Sequence, residues 1–364
     1  MLWHKVFTPV LTGQTILENV THRVGDSWSQ NITNQDGFQR ASCTLSGDRD
    51  YLRNWFEMGL GRHWRYESNS GDTIWEGMVW ALRLVDDGWS QSRSLDSFSN
   101  RIRGVYDSRA TGERLHVPSS STWEEDTDSQ AQFGIKENIL TVGETNATTA
   151  IGYVDLEIAK RAWPGRSKAK TETKGTSLAV ELRGYMDTLG WRIYNDTTSG
   201  LEDCSVMVDR IVSAVGQYVN STYTIDNTFQ YPAYHNRDRY ALSILRDIIS
   251  LGDGTDPWTV GMYEDRQLRY EPVETEINMY WHEGEPTPVR LDGSRVDPWQ
   301  IRPNDVIKSA WLLPGYIFDD DPQRDPMTLI VQEIRFKAPY SISIVGTDDL
   351  QIEILLNRIQ KTRW

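Results

Sequence analysis

The stretch Phe38 to Arg83, FQRASCTLSGDRDYLRNWFEMGLGRHWRYESNSGDTIWEGMVWALR, carries the clearest structural signal in this chain. Phe38 to Leu45 alternates, placing Ala41, Cys43 and Leu45 on one face and Ser42 and Thr44 on the other, which is the period-two pattern of a half-buried strand. Tyr51, Leu52, Trp55 and Phe56 then fall at helical spacing, and strand chemistry resumes at Trp64 and Tyr66. Ser70-Gly71-Asp72 turns the chain into a long strand, Thr73 to Val85, in which Gly77 predicts a bulge or a bend in a curved sheet. Together these elements read as the wall of a tube.

Working outward, Trp3–Leu11 and Ile16–Val24 read as strands joined at Thr12-Gly13, and Trp28–Thr33 as another. Asp86-Asp87-Gly88 turns the long strand into Trp89–Leu95, and Leu95–Asn100 predicts a helical turn before a strand at Ile102–Tyr106. Residues 107–128 are polar and acidic, with Glu124-Glu125-Asp126-Thr127-Asp128, and read as a solvated linker. They lack the alternating oxygen ligands and turn glycine of a calcium loop. A helix is expected from Asn146 to Ala162, capped by Thr145, with Ala147, Ala150, Ile151, Val154 and Ile158 on its apolar face. Thr176–Leu182 reads as a strand, and a further strand, turn and strand are expected through Tyr194. Helices follow at Cys204–Tyr218 and Arg239–Leu251, then a hairpin of Trp258–Met262 and Gln267–Tyr270. The C-terminal part is strand-rich: Ile277–Trp281, Val306–Leu313, Thr328–Phe336 and Tyr340–Val345, with a closing element at Leu350–Ile359.

Trp75-Glu76-Gly77-Met78-Val79 after a polar turn resembles the first barrel of the hub proteins at the tail tips of long-tailed bacteriophages. A second segment is similar to the family's connector between barrels, where Ser129, Phe133, Gly134, Ala150 and Pro164 fill the corresponding places. The later helices and small sheet match the order of an insertion that decorates the outside of the tube. The resemblance implies an α+β, mainly β fold, with two tail-tube-like β-barrel domains and an inserted helical/mixed domain. Its divisions fall at 1–110 (first barrel), 111–195 (linker, connecting helix and first strands of the second barrel), 196–275 (insertion) and 276–364 (remainder of the second barrel). It further implies a homo-oligomeric ring, a trimer, that continues the tail tube. Its partners would be distal tail and tube proteins, the tape-measure protein and tip fibres or spikes, with DNA as transient cargo and no membrane contact of its own.

Composition fits that expectation. The 364 residues suffice for two or three domains, and fifteen Trp and sixteen Tyr supply large buried surfaces. The net charge of −14 argues against a sequence-reading nucleic-acid binder, which clusters Lys and Arg. It is compatible with an acidic channel wall that repels phosphates; three copies carry −42. Cys43 and Cys204 are expected to be buried thiols in a reducing compartment. With no signal-peptide core and no run of membrane-span length, synthesis and residence in a cytoplasm are expected. The Asn-x-Ser/Thr matches at Asn19, Asn31, Asn146, Asn195 and Asn220 therefore carry no weight.

The search for chemistry assigns no catalytic, cofactor-binding or metal-ligating residue. The six His are scattered, and no zinc spacing, nucleophile elbow or phosphate loop is present. Asp319-Asp320-Asp321 with Asp325 is the best cation candidate and reads as an exposed loop. Glu76, paired with Glu57 or Asp72, is the one conceivable glycosidase arrangement, and a structural role is expected of it instead. The alternative function is a carbohydrate-binding or glycan-degrading β-protein using Trp55, Trp64, Trp75 and Trp80 as platforms, although their periodicity places them in a core.

Overall fold

The computed structural model describes residues 2–118, 122–195, 200–232, 238–281, 287–309, 328–337 and 341–346. β1 (Trp3–Phe7) pairs antiparallel with β2 (Ile16–Asn19), and β3 (Ser29–Thr33) with β4 (Gly37–Leu45). β5 (His63–Glu67) and β1 also pair; β5 runs on into β6 (Thr73–Asp86), which turns back as β7 (Trp89–Ser94). Asp87 and Gly88 both have positive φ, 42° and 84°, as a two-residue hairpin turn with the right-handed twist of its strands requires.

Between β2 and β3 the expected strand gives way to helix α1 (Thr21–Val24). Asn19 Oδ1 accepts from the Thr21 N–H at 3.0 Å and ends the strand, while Val20 and Val24, four apart, both turn into the core. Helix α2 (Arg49–Met58) follows β4 as its spacing predicts; Asp48 accepts from the Tyr51 N–H at 2.8 Å, and Leu52, Trp55 and Phe56 are buried.

β8 (Arg101–Ser108) belongs to a second, smaller sheet with β9 (Arg114–Val117), β10 (Glu124–Glu125) and the parallel β11 (Glu137–Thr145). The acidic segment 107–128 is thus partly built into a sheet: Arg101 pairs with Glu125 at 3.0 Å, and Asp126 caps helix α3 (Thr127–Phe133). Helix α4 (Ala147–Arg161) covers this sheet through Ala150 and Val154, and its cap is Asn146, one residue beyond the expected Thr145. The predicted helical turn at 95–100 is irregular chain.

β12 (Arg166–Lys170) returns to pair with β7, and β13 (Thr176–Arg183) inserts between β4 and β6. A 3-10 helix, Tyr185–Trp191, replaces the strand expected there, because Tyr185, Thr188 and Trp191 recur every three residues and all are buried. β14 (Ile193–Tyr194), β15 (Leu201–Asp203), helix α5 (Cys204–Val215), β16 (Ser221–Thr224), β17 (Gln230–Pro232), β18 (Arg239–Tyr240) and helix α6 (Ala241–Leu251) form a mixed region. It is joined to β4 through β19 (Trp258–Met262), which forms the expected hairpin with β20 (Gln267–Pro272). The apolar faces of α5 and α6 are buried as their periodicity predicts.

The last strands are β21 (Met279–Trp281), β22 (Val289–Arg290), β23 (Val306–Ser309), β24 (Thr328–Lys337) and β25 (Ser341–Gly346). β24 pairs with β3, so the end of the chain rejoins its beginning. The continuous lateral order is β25-β24-β3-β4-β13-β6-β7-β12. The fold is α+β and mainly β. Among the described residues the strands form open, branched sheets and no closed barrel: the lateral ends β25 and β12 do not pair with each other. The element expected at Leu350–Ile359 lies outside the described residues.

Under the sheet lies an aromatic core. Trp28 and Trp64 stack at 5.9 Å, His4 and Tyr66 at 4.3 Å, and Trp75 meets Trp28 edge-on at 5.7 Å. Cys43 and Cys204 are both buried free thiols. Gly77 is needed for close approach: a Cβ there would lie 2.3 Å from the Arg183 carbonyl oxygen, while the irregularity in β6 falls further on, where Val79 and Ala81 pair with neighbouring residues of β13 and Trp80 is skipped. A Cβ on Gly184 would lie 1.6 Å from the Phe38 carbonyl oxygen. Gly184→Ala is therefore expected to lower unfolding free energy by about 3 kcal/mol, whereas Gly152→Ala, in open space on α4, should raise it by about 0.5–1 kcal/mol; urea denaturation of both variants checks the contrast.

Candidate functional site

Glu76 is the fourth residue of β6, its side chain turned to the face opposite Trp75 yet only 1% exposed. β5 brings His63 and Arg65 alongside: Arg65 Nη2 lies 3.3 Å from Glu76 Oε2, and His63 Nε2 faces that oxygen at 3.9 Å, beyond hydrogen-bond reach. The turn between β19 and β20 supplies the Arg266 backbone N–H, which donates to Glu76 Oε1 at 2.6 Å; Asp265 and Arg266 hold φ of 55° and 58° to present it. Tyr185, at the start of the 3-10 helix, bonds through its hydroxyl to His63 Nδ1 at 2.7 Å, and its ring stacks on Tyr218 at 5.4 Å.

Burial dominates the electrostatics here. It pushes the Glu76 carboxyl up to about 7, against the opposing pull of Arg65 and the Arg266 N–H. Burial likewise holds His63 well below the usual imidazole range, helped by Arg65 and Arg266, and drives the Tyr185 hydroxyl upward. The result is a neutral imidazole and a carboxyl that readily keeps its proton, tying three separated segments together. The suggested acid partners are elsewhere. Glu57 pairs on the surface with Arg166, and Asp72 accepts from Ser70 at 2.5 Å and Ser68 at 3.1 Å inside its own turn. Sequence reasoning singled out Glu76 but not His63, Tyr185 or Arg266, whose meeting depends on long-range pairing that leaves no local signature.

Further along, the sheet face turned away from the aromatic core forms a trough of about 860 Å³. Cross-strand registers lay out its floor. Arg335, Asn31 and Arg40 lie in one row across β24, β3 and β4, and Lys337, Ser29, Ser42 and Glu181 in the next, running on to β13. Thr44, Ala179, Arg83 and Ser92 continue it across β4, β13, β6 and β7. The lining holds five cations, Arg40, Arg83, Arg93, Arg335 and Lys337, against one carboxylate, Glu181. Its charge is opposite in sign to the acidic wall expected from composition.

Trp55, Trp64, Trp75 and Trp80 are all buried, the first through its indole N–H on Glu18 at 2.7 Å and the last on Asp96 at 2.8 Å. They are core residues, not exposed platforms. Asp319–Asp325 lies outside the described residues. Among the described residues no group of three or more His, Cys, Asp or Glu is arranged to hold a metal ion, and no helix is long and apolar enough to cross a membrane.

No protein-family profile matches the chain, and no curated protein sequence does. Among solved structures the chain is similar to the 43 kDa tail protein of prophage MuSo2 from Shewanella oneidensis, at 7% identity and a TM-score of 0.40, covering 92% of each chain. It is also similar to a tail protein from Neisseria meningitidis MC58, at 7% identity and a TM-score of 0.42, covering 92% of this chain and 91% of the other. Likeness at this distance assigns neither a fold nor a role.

The raised Glu76 pKa sets a sign for stability. The folded state keeps the proton that the unfolded state releases above its ordinary pKa of 4.5, so this group's contribution falls as pH rises from 4.5 to about 7 and is level beyond. Buried His63 works the other way, losing stability as pH falls below 6.5. Relative to the parent, Glu76→Gln should therefore gain up to about 3 kcal/mol between the two ends of the Glu76 window. Denaturant titrations of both proteins across that range check the difference.

Proposed function

We propose that this chain is a non-enzymatic structural protein of a bacteriophage virion, a tail-tip hub in which copies, three in our reading, form a ring that continues the tail tube. The observation that carries this is the open sheet: a broad, continuous wall drawn from both ends of the chain, with Glu57 and Asp72, the acids suggested as partners of Glu76, engaged elsewhere. The resemblance of the Trp75–Val79 strand and of the Ser129–Pro164 connector to hub proteins supports it. An unpaired strand edge is a template for another chain, and in the described residues β25 pairs on one side only. β12, at the other lateral end, carries Arg166, Lys168 and Lys170 exposed, the charged type of edge that discourages pairing. Two unlike ends favour a head-to-tail contact, which closes into a ring when the rotation permits.

In this reading the hub bears the distal tail and tube proteins, the tape-measure protein and tip fibres or spikes, lets DNA pass as cargo, and resides at the tail tip after synthesis in the host cytoplasm. Burial of the four tryptophans weakens the carbohydrate-binding alternative. Light scattering on the purified chain should give three times its 41.9 kDa, with an annulus in negative-stain images, and Glu76→Gln should assemble as the parent does. A strict monomer at every concentration, or glycan turnover abolished by Glu76→Gln, would overturn the proposal.

A further inference from the structure

The trough departs from the rest of the molecule in charge and in chemistry. The chain as a whole is at −14, yet this lining is cationic. Two of its cations are already neutralised: Arg335 pairs with Glu333 at 2.9 Å, and Arg93 bonds to the Glu57 carbonyl at 2.6 Å and faces its carboxylate at 3.8 Å. Glu181, the single acid, faces Arg183 at 3.3 Å. Arg40, Arg83 and Lys337 are exposed and have no carboxylate within ion-pair distance among the described residues; Arg83 donates only to the Ser90 hydroxyl, at 3.0 Å. Arg40 feels Asp187 at longer range, and an exposed cation outside any ion pair is common on a surface. Three of them on one concave floor, separated by short hydroxyl side chains, are a patterned donor array.

The three sit on β4, β6 and β24, with β3 and β13 among the strands that separate them, so the charges are spread along the floor and do not converge on one point. A single phosphate or carboxylate would meet only one of them. A flat anionic bilayer does not enter a concave floor. A rod carrying regularly spaced negative charge meets all three, with Ser29, Ser42, Thr44 and Ser92 as additional donors to its oxygens. Trp28, the residue just before β3, is buried on the other face, so recognition here needs no stacked base and reads no sequence.

We infer that this sheet face is a sequence-independent contact surface for the phosphodiester backbone of duplex DNA, with Arg40, Arg83 and Lys337 as its phosphate ligands. The inference rests on the tail-conduit reading for bringing DNA to this face, and it replaces a repelling wall with one that grips weakly and reversibly. Weak grip follows from having three free cations: contacts of this kind are lost with rising salt, so the strand slides on and is not retained.

The test is fluorescence anisotropy of a labelled duplex of mixed sequence, about three helical turns long, titrated with the full-length chain at salt concentrations from about 50 to 200 mM. The parent should bind, with the logarithm of affinity falling linearly against the logarithm of salt. The triple variant Arg40→Gln, Arg83→Gln, Lys337→Gln should lose at least about tenfold in affinity at the lowest salt and reduce the salt slope by about 2.7, or 0.9 for each phosphate contact. The charge-matched control Arg109→Gln, Arg114→Gln, Lys160→Gln, which alters exposed cations of the second sheet and α4, should bind as the parent does. Absence of binding by the parent, equal losses in both triple variants, or equal competition by polyglutamate of the same charge would each overturn the inference. Light scattering on the same samples separates the two proposals. Rings that ignore DNA sink the contact surface alone, while monomers that bind through the trough sink the ring alone.

Discussion

The insertion of β13 between β4 and β6 is the constraint on which the rest of the molecule depends. β4 and β6, separated in sequence by α2 and β5, do not pair with each other; each spends its backbone groups on one edge of Thr176–Arg183. Without that strand both would present unpaired amides and carbonyls across the middle of the sheet, a cost that native structures avoid. The fit is tight at its exit. Gly77 and Gly184 are the two places where the backbone of β13 or its continuation comes too close for any side chain to intervene. Packing follows from the same event, since Leu178, Val180 and Leu182 reach the shared core from β13 while Ala179 and Glu181 face the trough.

The two faces of this sheet therefore have distinct chemistry set by one alternation. On the inner side, large rings exclude water, and the polar groups admitted among them are held neutral or bonded: His4 uncharged, and Trp28 through its indole N–H on Gln30 at 2.9 Å. On the outer side, short hydroxyls and extended cations remain solvated. The Glu76 cluster ties the sheet to the mixed region, and its partners come from β5, the 3-10 helix and the β19–β20 turn. Strongly perturbed carboxyls occur in structural networks as well as in reactive sites.

Much of the local structure was legible because it is encoded locally. The alternation in β4, the helical spacing of Leu52, Trp55 and Phe56, the turn at Asp87-Gly88, and the apolar stripes of α5 and α6 all appear where the residues place them. Illegible features share a physical cause. α1 replaced strand because the Asn19 side chain competes for a backbone donor, a choice that apolar content alone does not reveal. The 3-10 helix at 185–191 did carry a signal, a three-residue repeat of buried side chains, which a search limited to periods of two and 3.6 passes over. β9 and β10 lie in polar sequence and are strands only because β8 offers them an edge. The charge of the trough was hidden for the same reason: Arg40 and Arg83 lie 43 residues apart and Lys337 a further 254 along the chain, and only the cross-strand register brings them to one face.

The pairing of β24 with β3 has a consequence for how the chain is made. Asn31 and Glu333, partners across that ladder, are 302 residues apart. At ribosomal speeds of about 5–20 residues per second, β3 emerges some 15–60 seconds before its partner exists. Throughout that interval the nascent polypeptide carries an uncovered β edge beside a tryptophan-rich, half-assembled core. Vectorial synthesis thus exposes this protein to aggregation in a window fixed by its topology.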